Sequence, residues 1–217
     1  MARAPELTDK AIQWLMSEHP GAIIVTEFSV ADWGGARVDV AAITDTEIVG
    51  VEVKGEGDSP ARLELQGLAY GRVVRKMWLL ADDSLQDRCF AKCPPRWGRL
   101  ELWENDVRPY NRSTKLGERI KINHGYRHEI IRDNSQYDPD VAHESRLLCP
   151  HSMCGTLWRD ELYEIARLTG VEVRGRATVA PLTQAICAQL PSPTIHAWMI
   201  DQLRRRSWRK PVIDTRT

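Results

Sequence analysis

The feature that most constrains the fold is a pair of short apolar segments, 36–43 and 48–54, joined by the polar turn 44–47. In an extended strand, side chains alternate between the two faces of a sheet. Both segments follow this alternation, and a four-residue turn is short enough to join them as a hairpin. We therefore predict two neighbouring antiparallel strands, preceded by a further β-rich strand over 22–28.

The alternation also predicts where the charged side chains of this hairpin lie. In the second strand, Glu52 and Lys54 are two residues apart and share one face. In the first strand, Asp39 is separated from Glu52 by twelve residues and points away from the core, so that pairing brings it alongside Glu52. The core-facing positions are all valines: Val38, Val40, Val49, Val51 and Val53.

The remaining elements of the N-terminal half predict an α/β fold. A helix is predicted over 6–18, with Thr8 or Asp9 as its cap, and a second from Ser59-Pro60 to about 76. Apolar runs at 77–81 and 99–103 predict two more strands. The order is helix, three strands, helix and two strands, which is typical of a mixed sheet flanked by helices.

Two carboxylates held close together repel each other, and each raises the pKa of the other. A divalent cation between Asp39 and Glu52 would remove this repulsion, and Mg²⁺ prefers oxygen ligands. Such an ion polarises phosphoryl oxygens and lowers the pKa of a bound water. Lys54 would position that water or stabilise the developing charge. The alternative is that Glu52 and Lys54 are ordinary solvent-facing strand residues, but their shared face with Asp39 favours a site.

The segment Gly35-Ala-Arg-Val-Asp39, followed by Glu52-Val-Lys54, resembles the PD-(D/E)XK nuclease superfamily. Val38 stands where the motif has proline. The resemblance covers roughly residues 6–105 and implies a restriction-endonuclease-like core with the order αβββαβ. It also implies that Asp39, Glu52 and the carbonyl of Val53 hold Mg²⁺, for which Mn²⁺ would substitute, and that Lys54 assists the attacking water.

Gln66-Gly-Leu-Ala-Tyr70 resembles the Q-x-x-x-Y motif of RecB-type members of this superfamily. Arg62 precedes Gln66 by the same four-residue step, so the three side chains can share one helix face. They would contact metal-bound water or the DNA backbone, although a partly exposed helix face explains them too. The resemblance also implies a further acid, for which four candidates stay open: Glu6, Asp9, Glu18 and Glu27.

The sequence divides into a predicted nuclease core at 1–107, a polar linker or loop at 108–140 and a small all-helical region at 141–217. Helices are predicted at 157–169, 181–190 and 194–207. Gly170 suits a helix C-cap, and segment 162–175 resembles the first part of a SAP-type DNA-binding hairpin. That resemblance implies phosphate contacts from Arg174 and Arg176. A plain helical packing region is an equal alternative.

Charge and cysteine content limit the other function classes. Thirty basic and 30 acidic residues give no net charge, which weighs mildly against a large phosphate footprint, although segment 204–210 is basic. Five cysteines without a secretory signal argue against a disulfide framework. Their spacing departs from that of zinc knuckles, so buried or incidental cysteines are favoured over a zinc site.

The sequence therefore predicts a metal-dependent nuclease that cuts DNA in repair, recombination or phage DNA processing. The alternative is a non-catalytic nucleic-acid-binding protein on a nuclease-like scaffold. No segment is apolar enough to span a membrane, so a cytoplasmic location is expected. RNA as substrate, endo- or exonuclease action and a homodimeric assembly stay open.

Overall fold

The chain folds around one mixed seven-stranded sheet with helices on both faces, which confirms the predicted α/β class. The computed structural model describes residues 3–30, 35–110, 142, 144–173 and 177–216. Arg174, Arg176 and residues 111–140 of the predicted linker lie outside this described part. None of the helices in these ranges combines the length and apolar character needed to cross a lipid bilayer.

The described elements follow one another along the chain in two groups. The N-terminal group is α1 (Ala4–Glu18), β1 (Ile23–Ser29), β2 (Arg37–Ile43), β3 (Ile48–Lys54), a 3-10 turn (Pro60–Arg62), α2 (Leu63–Tyr70), β4 (Lys76–Ala81), α3 (Gln86–Lys92), β5 (Gly98–Trp103) and β6 (Asp106–Pro109). The C-terminal group is α4 (Pro150–Gly155), α5 (Arg159–Thr169), α6 (Val179–Gln189), α7 (Ser192–Arg205) and β7 (Ile213–Asp214).

The strand order across the sheet is β6-β5-β4-β3-β2-β1-β7. Strands β3 and β4 are parallel, as are β4 and β5, whereas the remaining pairs are antiparallel. The predicted hairpin is present, with Val40 opposite Val51 and Ile43 opposite Ile48. Strand β3 lies at the centre of the sheet, and all seven of its residues are buried. The strand that carries Glu52 and Lys54 is therefore covered on both faces.

Two hydrophobic clusters, one on each face, bury this sheet. Helix α1 packs Leu7, Ala11 and Leu15 onto one face. Helices α2 and α3 and the C-terminal helices cover the other face. The prediction that Val38 and Val40 share one core face is wrong, because Val40 belongs to the α1 cluster and Val38 to the opposite one. The alternation fails where β1 and β2 lose their regular pairing, next to Asp39.

Helix α1 begins at Ala4, earlier than predicted, with a proline in its first turn. Neither predicted cap acts as one, because the Thr8 hydroxyl donates to the Ala4 carbonyl within the helix and Asp9 is exposed. The first turn lies against the end of β3. A Cβ atom on Gly55 would lie 2.3 Å from the Ala4 nitrogen, so only glycine permits this approach. The N-terminus of α1 is thereby held beside the carboxyl end of β3.

Helix α2 ends at Tyr70, six residues before the predicted end at 76. The predicted Ser59 cap is confirmed, since its hydroxyl accepts from the Ala61 nitrogen at 3.3 Å. After Tyr70, main-chain carbonyls accept hydrogen bonds from the segment 144–149. For example, the Ser145 hydroxyl donates to the Gly71 carbonyl at 2.5 Å. These contacts come from residues more than 70 positions away, so local periodicity cannot show them.

The C-terminal region packs on the sheet and is not purely helical. Gly170 ends α5 in the left-handed conformation (φ 70°), as predicted. Strand β7 adds to the edge of the sheet, with Ile213 opposite Ile24 of β1. Side chains from α4 to α7 belong to the same hydrophobic cluster as those of β1 and β4. This region is therefore continuous with the core of the sheet.

Candidate metal and catalytic site

A cleft of about 1050 Å³ opens at the carboxyl end of β3. Its walls are the first turn of α1, the adjoining parts of β1 and β2, and the exposed side of α2. Seven predicted site residues line it: Asp39, Glu52, Val53, Lys54, Arg62, Gln66 and Tyr70. The structure thus brings together all the predicted site residues that it describes.

Asp39 lies on β2 beside the end of β3, and its Oδ2 accepts a hydrogen bond from the Val53 nitrogen at 2.7 Å. Burial, followed by the negative charge of Glu52, raises the pKa of Asp39 to about 7. The two carboxylates are therefore near enough to interact, as the hairpin pairing predicts. Without a cation, Asp39 holds its proton up to neutral pH.

Glu52 is only 1% exposed, although it carries a charged group. Its Oε1 accepts from the Lys54 ammonium and from Gln66 Nε2, the latter at 2.6 Å. Its Oε2 is buried and has no hydrogen-bond partner among the described residues. Glu52 and Lys54 therefore share a face, as predicted, and the alternative that they are solvent-facing is wrong.

Gln66 and Tyr70 share one face of α2, as their spacing predicts. Gln66 Nε2 also donates to the Tyr70 hydroxyl at 3.0 Å, and that hydroxyl donates to the Arg37 carbonyl at 2.5 Å. Burial and the charge of Glu52 raise the pKa of Tyr70, so it remains a donor. Tyr70 is 1% exposed, which excludes the interpretation that it belongs to a partly exposed face. Gln66 Oε1 is a second buried oxygen without a partner in the described structure.

The rim of the cleft carries further charged residues. Arg62 is exposed on the 3-10 turn. Among the four candidates for the further acid, all of them described, Glu27 is the one that lines the cleft. It forms an ion pair with Arg37 at 3.4 Å. Sequence analysis missed Asp58, whose Oδ2 accepts from the Gly55 nitrogen at 2.8 Å, because an aspartate between glycines and a proline reads as an ordinary turn.

The oxygen atoms at the base of the cleft fit a hard cation. Buried oxygens without donors are costly unless something else satisfies them, and Glu52 lines the same cleft as Asp39, whose carboxyl group it interacts with electrostatically. The described residues contain no cluster of three or more His, Cys, Asp or Glu side chains able to hold a metal. A cation at this site would therefore take its other ligands from water and the main chain of Val53, and Mg²⁺ usually retains several waters.

The cysteines are part of the packing in the described structure. Cys89, Cys93 and Cys154 are buried, whereas Cys149 and Cys187 are half-buried. Burial raises the pKa of the Cys89 and Cys154 thiols, which keeps them protonated. Their environment matches that of small apolar side chains.

The comparisons with known proteins give one family. No curated protein and no solved structure matches the chain. One family profile does match, over residues 2–122. This segment is more than half of the chain and contains the cleft with all its predicted site residues. The chain therefore belongs to the family described as Bacteriophage P4 protein cII.

Proposed function

We propose that this protein is a divalent-metal-dependent nuclease of the PD-(D/E)XK type that hydrolyses phosphodiester bonds of DNA. The observation that carries the proposal is the buried Glu52 carboxylate, which has one oxygen without a partner and lies beside Asp39 and Lys54 in an open cleft. Removing a carboxylate from water costs several kcal/mol unless it is compensated. A site that retains such a group favours a ligand that supplies positive charge.

The order of elements supports the same proposal. Helix α1, strands β1 to β3, helix α2 and strand β4 follow in the sequence αβββαβ. This agrees with the restriction-endonuclease-like core that the resemblance implies, with the acidic residues on β2 and β3. Fold by itself does not establish an activity, so the proposal depends on the side chains of the cleft.

Asp39, Glu52 Oε2 and the main chain of Val53 would hold the cation. When bound, the ion would supply Lewis-acid polarisation of a phosphoryl oxygen and a water of lowered pKa. Lys54 would stabilise the negative charge that develops on the phosphoryl group. Its ammonium is held for this role by Glu52 Oε1.

The α2 residues would keep the carboxylate of Glu52 in its orientation. Gln66 donates to Glu52 Oε1, which leaves Oε2 for the cation. Tyr70 anchors Gln66 by accepting its second amide hydrogen while it donates to the Arg37 carbonyl. The exposed Arg62 at the rim would contact a backbone phosphate next to the scissile bond, which gives affinity without sequence specificity.

A cleavage assay tests the proposal. The purified protein is incubated with single-stranded, duplex and branched DNA, and with RNA, in Mg²⁺, in Mn²⁺ and in chelator. We expect metal-dependent cleavage of at least one DNA substrate, and its loss in Asp39→Ala. Binding without cleavage of every substrate in both metals would overturn the proposal and favour a non-catalytic nucleic-acid-binding protein.

A further inference from the structure

Three leucines form an exposed apolar row that leads out of the candidate cleft along α2. Leu65 lines the cleft itself. Leu68 follows three residues later, and a Cβ atom on Gly71, three residues further, would lie 3.3 Å from Leu147 Cδ1. Residues three apart on a helix are neighbours on its surface. Leu65, Leu68 and Leu147 therefore follow one another and form one leucine ridge.

This ridge is more exposed than the other apolar surface in the described part of the chain. Leu65 and Leu68 are 58% and 51% exposed, the two highest values among its large hydrophobic side chains, and Leu147 is 47% exposed. Another side of α2 is tightly packed, since a Cβ atom on Gly67 would lie 2.4 Å from Pro94 Cγ. The ridge therefore lies outside the core, and exposed apolar side chains grouped beside a cleft are typical of a binding surface.

The charges of the cleft limit the kind of nucleic acid that the ridge suits. Three cations line the cleft in the described structure: Arg37, Lys54 and Arg62. Lys54 pairs with Glu52, and Arg37 pairs with Glu27. Arg62 is therefore the one of these three without an acidic partner among the described residues. Proteins hold a duplex through many phosphate contacts, so a cleft with one unpaired cation needs affinity from another part of the DNA.

Apolar side chains distinguish an unpaired strand from a duplex. The outside of a duplex presents sugars and charged phosphates, whereas its bases are stacked inside and show only their edges in the grooves. An unpaired strand can turn the apolar faces of its bases toward a protein. The ridge suits such bases, and the exposed cations Arg62 and Arg146, near its two ends, suit the phosphates beside them. Glu64, the exposed acid of α2, does not line the cleft.

We propose that the leucine ridge binds the bases of an unpaired DNA strand and directs that strand into the cleft. The unpaired strand is either a free single strand or an unpaired arm of a duplex, which present the same chemistry. The inference rests on the proposed function, because it names the substrate class of the same nuclease site. Leu65 would contact a base next to the scissile phosphate, and Leu68 and Leu147 would contact bases further along the strand.

DNA binding to the full-length protein, measured by fluorescence anisotropy in chelator, tests the inference. The probes are a labelled single strand of thymidylates, an abasic strand of the same length that retains the phosphates, and a duplex. The thymidylate strand should bind on the order of tenfold more tightly than the other two, a factor typical of one base contact. Its log affinity should fall with log salt at a slope of about −1, since each neutralised phosphate of a single strand contributes about −0.7.

Substitutions in the ridge separate base contacts from phosphate contacts. Leu65→Ser and Leu68→Ser should each weaken binding of the thymidylate strand on the order of fivefold, because a half-exposed leucine loses roughly half of its burial energy. Binding of the abasic strand should not change, and Leu65→Phe should retain the affinity of the parent. The matched control is Leu168→Ser, which removes a leucine of α5 that is 46% exposed and does not line the cleft, and should leave binding unchanged.

Three results would overturn the inference while cleavage of DNA still supports the proposed function. They are equal affinity for the thymidylate and abasic strands, equal affinity for the thymidylate strand and the duplex, and parental affinity in both serine variants of the ridge. Sedimentation velocity tests a second occupant: a dimeric parent that becomes monomeric in Leu68→Ser would assign the ridge to an interface between two copies and overturn the inference. A parent that neither binds nor cleaves any of these DNAs would overturn the proposed function, and this inference with it.

Discussion

Two buried ion pairs in this protein have opposite surroundings. In the C-terminal region, Glu161 pairs with Arg206, and their side chains are 11% and 5% exposed. Both oxygens of Glu161 accept hydrogen bonds: Oε1 from Arg206 at 2.7 Å, and Oε2 from Arg206 and from the Trp158 nitrogen. In the cleft, Glu52 pairs with Lys54, whose side chain is 9% exposed. One oxygen of Glu52, however, has no partner among the described residues.

The difference separates a structural ion pair from a candidate catalytic one. Arg206 also donates to the Thr156 carbonyl and lies between the rings of Trp158 and Trp208, at 4.5 and 4.9 Å. The positive charge of Arg206 is therefore compensated by a carboxylate, a carbonyl oxygen and two aromatic rings. Glu52 instead interacts with a second carboxylate, that of Asp39, and both residues line an open cleft. Incomplete compensation next to solvent favours ligand binding, whereas complete compensation favours stability.

The largest expected effect is on cleavage. Glu52→Gln should lower the cleavage rate by a factor on the order of a thousand or more, because the proposed cation would supply several kcal/mol of charge stabilisation. Asp39→Ala and Lys54→Ala should behave similarly, with circular dichroism spectra like that of the parent. Glu161→Gln is the matched change in the other pair and should leave the rate per folded molecule unaltered. Full activity in all three cleft variants would contradict the assignment of Glu52–Lys54 as a catalytic ion pair and Glu161–Arg206 as a structural one.

The second effect is on stability. Arg206→Met should lower the free energy of unfolding by about 3–5 kcal/mol, because it leaves the buried Glu161 carboxylate without its counter-ion. Urea unfolding with and without Mg²⁺ measures this loss, which should be the same in both conditions since Arg206 is not part of the cleft. A loss that Mg²⁺ restores would show that the two regions are coupled and would contradict the comparison.

A smaller effect depends on pH. The folded protein raises the pKa of Asp39 from an ordinary 3.8 to about 7. Between these values the folded state binds a proton that the unfolded state has lost, so this group makes stability fall as pH rises. In chelator, Asp39→Asn should therefore be more stable than the parent at pH 8, by on the order of 2 kcal/mol, and closer to it at pH 5.

At pH 8, saturating Mg²⁺ should make the parent protein more stable than Asp39→Asn, because the ion stabilises the folded form that binds it. Urea unfolding at the two pH values measures both parts. A parent whose stability does not change between pH 5 and pH 8, relative to Asp39→Asn, would show that the carboxylate is not destabilised in the metal-free cleft.

Sequence reasoning was most successful where the signal is local. The alternation in 48–54 was enough to place Glu52 and Lys54 on one face, and the four-residue step placed Gln66 beside Tyr70. It failed where contacts from distant segments of the chain accompany the end or the interruption of an element. Ser145 donates to the Gly71 carbonyl just after the end of α2, and Lys210 donates to the Glu27 carbonyl in β1. Helix α3 and strand β6 gave no periodic signal long enough to be recognised.

The basic tail shows the same limit for charge. A run of arginines at 204–206 predicts either phosphate contacts or a solvated helix end. In the folded protein Arg204 pairs with Asp45 at 2.6 Å, and Arg205 and Arg206 pair with acids of α5. These partners are between 41 and 159 residues away along the chain, so composition alone cannot tell a binding surface from an internal salt-bridge network.

A crystal structure determined with Mn²⁺ tests the central claim most directly, because manganese gives an anomalous signal that locates the ion. We predict a single strong peak in the cleft, about 2.1 Å from Glu52 Oε2 and from a carboxylate oxygen of Asp39, and no peak in crystals of Glu52→Gln. A cleft without manganese, with Glu52 Oε2 hydrogen-bonded to a protein donor, would contradict the account.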